Sequence, residues 1–131
     1  MICCGLDLEF WPLVKHEVER AFRYNAGRMD IDDIEQSLQD KTMQLWCIHD
    51  GEIKCVFVTE IITYARCKAV RIVTVTGVNH EQWLPLGVDT IVRWGQERGC
   101  TIMEMLGRRG WEKPLKELGF IEPQILMTKH F

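Results

Sequence analysis

The chain has 131 residues, is 47% apolar and 27% charged, and carries a formal net charge of −3. That length suits one domain, residues 1–131, able to bury roughly two-thirds of its unfolded surface. The charge balance gives no basis for nucleic-acid binding, no apolar run is long enough to span a bilayer, and Met1 to Asp7 lacks the basic start and long apolar stretch of a secretory signal.

Helix signals come first. Pro12 suits a first helical turn, and Leu13, Val14, Val18, Ala21 and Phe22 recur at helical spacing. Glu17, Glu19, Arg20 and Arg23 lie mostly off that stripe, and Asn25, Ala26 and Gly27 mark its end. A second, short helix is expected near Asp30, with Ile31, Ile34 and Leu38 as its apolar face and acidic residues in its first turn. Trp11 precedes the first helix; if exposed with Phe10, the pair would mark a protein-binding patch.

From Met43 the pattern turns to strands. Residues 43–49 and 53–62 flank Asp50-Gly51, a strong hairpin signal, and a turn near Ala65 to Lys68 leads into a third strand over 70–76. Val70, Ile72, Val73 and Val75 suit a central strand, so the three form an antiparallel meander. Gly77 ends the third strand and a helix opens at Asn79, with Gln82 three positions later as a capping-box-like partner. Leu84, Val88, Ile91, Val92 and Gly95 share one side of that helix, and Gly99 stops it. A strand over 101–106 is expected parallel to 70–76, because the intervening helix is a long enough crossover. A short helix over 111–118 ends at Gly119, and residues 121–128 read as a final strand with Pro123 near its start or on an edge.

The six cysteines, at 3, 4, 47, 55, 67 and 100, show no C-x-x-C spacing; Cys47 and Cys55 fall in apolar runs, which suits buried thiols in a reduced, intracellular setting. Four scattered histidines, at 16, 49, 80 and 130, form no helical ligand pair, so no metal site is expected. Trp46, Trp83, Trp94 and Trp111 read as core anchors.

The resulting order, α-α-β-β-β-α-β-α-β around a mixed central sheet, describes an α+β, three-layer fold. Over about Asp30 to Phe131 the chain resembles the GCN5-related N-acetyltransferase (GNAT) superfamily, and within it short members from tailed bacteriophages and prophages. The residues carrying the resemblance are Gln44-Leu45-Trp46, Thr59-Glu60, Arg71-Ile72-Val73, Trp83-Leu84-Pro85-Leu86, Glu97-Arg98-Gly99-Cys100, Gly107-Arg108-Arg109-Gly110-Trp111 and Leu118-Gly119-Phe120.

The resemblance implies a splay between the strands over 70–76 and 101–106 that takes the pantetheine arm of acetyl-CoA. The pyrophosphate then lies on the loop and helix start after the first of them. Val75, Thr76, Gly77, Val78 and Asn79 are the corresponding residues, with Arg108 and Arg109 as further cofactor contacts. Backbone N–H groups and a helix dipole at such a junction favour anions. The family's usual glycine-rich pattern is replaced by Gly77-Val78-Asn79-His80-Glu81-Gln82-Trp83, and the plain alternative is that Asn79 and Glu81 only cap the helix. Arg108 and Arg109 either grip phosphate or carboxylate or form a solvated turn.

Acyl transfer from a thioester to an amine requires a base, oxyanion stabilisation and a proton for the thiolate. Glu60 is the candidate base, against a plain reading as a solvated strand-end carboxylate, and His80, at a helix start, is a second proton acceptor. Family members often place a tyrosine acid on the last helix; here only Tyr24 and Tyr64 exist, and neither lies over 111–118. Cys100 has no local histidine partner and is a poor nucleophile candidate. Three functions follow: an acetyl-CoA-dependent N-acetyltransferase acting on an amine in the cytoplasm, a non-catalytic virion or assembly protein that docks phage structural proteins, or a small binding module that keeps the groove for another acidic ligand gripped by Arg108 and Arg109.

Overall fold

The computed structural model describes residues 2–3, 9–22, 27–77, 80–107 and 109–131, without the side chains of residues 2, 3, 80, 81 and 109. Its elements are β1 (Ile2–Cys3), α1 (Trp11–Phe22), α2 (Ile31–Gln39), β2 (Met43–Asp50), β3 (Glu52–Thr63), β4 (Lys68–Thr76), α3 (His80–Glu97), β5 (Ile102–Met105), a 3-10 turn (Arg109–Trp111) and α4 (Glu112–Glu117). They build an α+β fold around one sheet of order β1-β2-β3-β4-β5, antiparallel except for the parallel β4–β5 pair.

The sheet has a helix layer on each face because its strands alternate apolar residues to both sides. One face carries Trp46, Ile48, Phe57, Val70 and Ile72 against Leu84, Val88 and Ile91 of α3 and Leu115 of α4. The other carries Leu45, Cys47, Val56 and Val58 against Val14, Val18 and Phe22 of α1 and Ile34 and Leu38 of α2. A buried polar chain crosses the first face: Trp46 Nε1 donates to Thr59 Oγ1 at 2.9 Å, and Thr59 Oγ1 donates to Gln44 Oε1 at 2.9 Å. Each buried polar group there has a partner, so the chain carries little desolvation penalty.

Local signals explain the ends. Asp30 caps α2, accepting from the Asp33 N–H while the Asp33 carboxylate accepts from the Asp30 N–H. Gly51 turns the β2–β3 hairpin at φ 73°, and Gly99 lies at φ 83° just past α3; both conformations favour glycine. The expected start of α3 at Asn79, and the Asn25-Ala26 end of α1, lie outside the described residues.

Three expectations need correction. A strand β1 pairs Ile2 with Ile48 and Cys3 with Cys47, extending the sheet beyond the expected order. Residues 121–128 form no strand: they are exposed and pair with nothing in the sheet, and strand propensity alone does not hold a strand without a ladder partner. Trp11 makes no exposed patch with Phe10, because it is buried against α2 with its Nε1 donating to Glu35 Oε1 at 2.7 Å.

Helix α3 packs tightly on the sheet at Gly87, where a Cβ would sit 2.3 Å from Phe57 Cε2, and Phe57 is wholly buried. Alanine at a helical position ordinarily gains roughly 0.5–1 kcal/mol over glycine, whereas overpacking a core costs about 1–3 kcal/mol. Gly87→Ala is therefore expected to lower stability in urea unfolding, and the loss should shrink in a Phe57→Leu background. A stabilising Gly87→Ala would show that Phe57 yields freely.

Candidate active site where two parallel strands part

The register of β4 changes at one residue. Val58 faces Thr74 and Thr59 faces Ile72, so Val73 has no partner in β3 and forms a bulge. On the other side, β4 pairs with β5 only from Ala69↔Ile102 to Ile72↔Met105. The bulge and the end of the parallel ladder coincide, and residues 73–76 continue β4 with no β5 partner. Both strands then run to helices: β4 through Gly77 to α3, β5 through Gly107 to the 3-10 turn and α4. Crevices outside the carboxyl ends of parallel strands are the usual ligand sites of such sheets.

At the open end, Gly77 has φ 146°, and a Cβ there would lie 2.3 Å from the Lys54 carbonyl oxygen. Only glycine lets the chain leave β4 this tightly against β3. The eighteen-residue α3 starts three residues later and presents its N-terminal amides and dipole at this end. A shallow cleft of about 400 Å³ lies between α3 and α4, lined by Leu84, Pro85, Gly110, Lys113, Pro114 and Glu117. Val75 is buried toward α3 and Thr76 is half-buried. Val78, Asn79 and Arg108 lie outside the described residues; Arg109 opens the 3-10 turn. The open ladder, the glycine exit and the long helix suit an anionic, elongated acyl carrier such as acetyl-CoA, with Lys113 the described cation in the cleft.

At the closed end lies a polar cluster on the face covered by α1 and α2. Glu60 is the register partner of Arg71, and Arg71 that of Glu104, so the three share a face. Arg71 Nη2 reaches Glu104 Oε2 at 3.1 Å, and Arg71 Nη1 lies 4.0 Å from Glu60 Oε1. Tyr64 Oη donates to Glu104 Oε1 at 2.7 Å and accepts from Arg71 Nη2 at 3.1 Å. Arg71 Nε is enclosed and finds no acceptor among the described residues. Burial pushes the Glu60 carboxyl above the usual carboxylate range; Arg71 opposes that rise and the like charge of Glu104 adds to it. The hydrogen bond to Glu104 raises Tyr64, which therefore keeps its proton. A carboxylate so placed is a better proton acceptor than one free in water.

The fold thus brings Glu60 together with Arg71, Glu104 and Tyr64, and sets it apart from His80, which begins α3 beyond the other end of β4. Val56 faces Thr76, and Glu60 lies four residues further along β3, about 13 Å at roughly 3.3 Å per residue. Sequence reasoning missed Arg71, Glu104 and Tyr64 as companions of Glu60. Their signal was a charged or hydroxyl group set in otherwise apolar strands, but aligning them required a register that the Val73 bulge hides. Cys100 is buried, and burial raises the Cys55 thiol to about 12, so Cys55 is not poised as a thiolate.

A raised folded-state value means that the native protein holds a proton on Glu60 which the unfolded chain has released. Stability contributed by that proton is complete below the ordinary carboxylate value and is lost as pH rises through the raised one. The melting-temperature difference between the wild type and Glu60→Gln should therefore change sign or size across that window and flatten above it. A difference independent of pH would show that Glu60 titrates as an ordinary surface carboxylate.

No family model matches this sequence, and no curated protein matches it. Solved structures match along its full length. A protein described as a probable acetyltransferase superposes with TM-score 0.76 at 12% identity, covering 100% of this chain and 96% of its own. A predicted acetyltransferase from Clostridium acetobutylicum, solved with acetyl-CoA, gives TM-score 0.73 at 14% identity, covering 99% and 96%. Glucosamine-6-phosphate N-acetyltransferase from Arabidopsis thaliana gives TM-score 0.70 at 15% identity, covering 100% and 99%. At these identities the likeness concerns architecture, and the architecture is that of the GNAT acetyltransferases.

Proposed function

We propose that this protein is an N-acetyltransferase that moves an acetyl group from acetyl-CoA to an amine, with Glu60 as the general base. The observation carrying this reading is the parting of β4 and β5 at the Val73 bulge, with an anion-favouring end at Gly77 and α3 and a proton-accepting end at Glu60. The separation of about 13 Å along the strand, at roughly 3.3 Å per residue, calls for a long, thin donor rather than a compact one. The acetyl-CoA in the Clostridium relative and the amino-sugar acceptor named for the Arabidopsis one are consistent with this pairing.

In this reading acetyl-CoA supplies the activated thioester. The unpaired edge over 73–76 offers backbone groups along its arm, while the α3 N-terminus and Lys113 favour its phosphates. Val75, Thr76 and Gly77 lie at the same end, and Val78, Asn79, Arg108 and Arg109 are proposed as further cofactor contacts. Glu60 accepts a proton from the acceptor ammonium, directly or through a water, and Arg71 steadies the carboxylate that forms the base. Glu104 and Tyr64 hold Arg71 in place. Tyr64 is also the hydroxyl of the cluster that retains a proton, at the end where the thiolate must be neutralised. His80, at the opposite end of β4, is proposed to serve the phosphate side rather than the acceptor. An intracellular, cytoplasmic setting suits a chain whose described cysteines, at 47, 55, 67 and 100, are free thiols.

Millimolar acetyl-CoA is expected to raise the melting temperature; at 100 times the dissociation constant the stabilisation is about 2.7 kcal/mol. An unchanged melting temperature would overturn the proposal and leave the non-catalytic reading, a phage virion or assembly protein. In an acetylation assay with an amine panel, Glu60→Gln should lower kcat by about 10²–10⁴-fold while leaving the acetyl-CoA thermal shift intact. The wild-type kcat/KM should rise with pH through a raised carboxylate value, and that limb should vanish in the variant.

A further inference from the structure

Glu60 and Arg71 stand side by side without bonding. They are register partners on β3 and β4, yet Glu60 Oε1 and Arg71 Nη1 lie 4.0 Å apart, beyond hydrogen-bond length. Arg71 spends its donors elsewhere. Nη2 donates to Tyr64 Oη and to Glu104 Oε2, each at 3.1 Å. Nη1 meets no hydrogen-bond acceptor among the described residues, and Glu60 receives no hydrogen bond from them. The two side chains keep 33% and 25% of their surfaces exposed, so a molecule from solvent reaches the gap between them.

An idle donor and an idle acceptor at this spacing fit one small molecule that carries both complements. Its nitrogen serves Glu60, and its oxygen serves Arg71 Nη1. Nitrogen and oxygen on adjacent carbons are separated by three bonds of about 1.5 Å each, which suits a gap of 4.0 Å. A plain alkylamine leaves Nη1 idle, and a longer spacer carries the oxygen past it.

Charge decides the kind of oxygen. With Glu60 ionised, as a base must be, two carboxylates, Glu60 and Glu104, flank a single guanidinium. An ammonium is favoured there. A carboxylate on the acceptor would bring a further like charge beside both.

Building on the acetyltransferase reading above, we propose that the acceptor is a primary amine with an uncharged oxygen on the adjacent carbon, a 1,2-amino alcohol or an α-amino amide, and that Arg71 selects it by donating from Nη1 to that oxygen. Tyr64 and Glu104 hold Nη2 and so leave Nη1 as the guanidinium nitrogen beside Glu60. Free α-amino acids have the right spacing and the wrong charge.

Acetylation of 2-aminoethanol, glycinamide, glycine and ethylamine by the full chain tests this, the first two distinguishing alcohol from amide. The better of those two should exceed ethylamine in kcat/KM by about tenfold or more, as expected for one hydrogen bond from a charged donor. Glycine should fall below glycinamide. Arg71→Lys keeps the charge but has a single nitrogen, which Glu104 and Tyr64 claim, so the preference over ethylamine should collapse. The basicity of the amines is the same in both proteins and cannot cause that collapse. Glu104→Gln removes a like charge and should narrow the gap between glycinamide and glycine. Titration of the wild type by nuclear magnetic resonance, without acetyl-CoA, should show the preferred oxygenated amine binding more tightly than ethylamine, and it decides the matter should Arg71→Lys fail to fold. Equal use of ethylamine, a preference that survives Arg71→Lys, glycine used better than glycinamide, or acetylation of none of these amines while acetyl-CoA still binds would each overturn this inference alone. Absence of a thermal shift with acetyl-CoA would overturn the acetyltransferase reading and this inference with it.

Discussion

One unpaired residue in β4 organises the rest of the molecule. Val73 is skipped by β3, so β4 presents Val70 and Ile72 to the α3 side before the bulge and Val75 to the same side after it. Without the extra residue a strict period of two would turn Val75 away from α3 and place Thr74 there. The bulge also sharpens the local twist, and the parallel partner β5 does not follow: its last pair is Ile72↔Met105. The core on one face, the crevice between the strands and the glycine exit at Gly77 all depend on where that residue is inserted.

The polar cluster at the closed end is the counterweight to that core. Glu60, Arg71 and Glu104 sit on strands whose other side chains are largely buried, and each keeps about a quarter to a third of its side-chain surface in water. Burial is the main reason that Glu60 is raised; it outweighs the opposing attraction of Arg71, and Glu104 adds a smaller push in the same direction. Partly buried ion pairs of this kind add little to stability, since desolvation offsets the attraction. Their retention in the middle of a sheet therefore calls for another use, and tuning a proton acceptor is one the geometry supports. The enclosed Arg71 Nε, without an acceptor, is a cost of the same arrangement.

Much of this architecture was written in local pattern. The stripe Val14, Val18 and Phe22, the Asp30 cap and the Asp50-Gly51 hairpin each rest on neighbours within a few residues, and each is found where the chain indicates. So is the parallel crossover from β4 through α3 to β5, because its length admits few alternatives. What local pattern does not encode is register. Glu60 is visible as a lone carboxylate in an apolar strand, but Arg71, eleven residues later, becomes its partner only through a pairing that the bulge shifts. Glu104 enters through a third strand, and Tyr64 through the turn between β3 and β4. The tail failed for the complementary reason: its alternation is real, but a strand is defined by a neighbour, and no described strand pairs with it.

The two ends of the crevice differ in how their positions are secured. The Gly77 end is fixed by backbone contact with Lys54 and Cys55, the former being the residue β2 skips when His49 pairs with Ile53. The bulge at Lys54 thus lies beside this glycine, while the bulge at Val73 lies four residues before it on β4. The Glu60 end is fixed instead by side chains, through Arg71, Glu104 and Tyr64. Backbone packing has few alternative arrangements, whereas a charge network can be rebuilt residue by residue. An end set by backbone keeps its shape while an end set by side chains is free to change, and a fold shared with solved acetyltransferases at only 12–15% identity is consistent with that division.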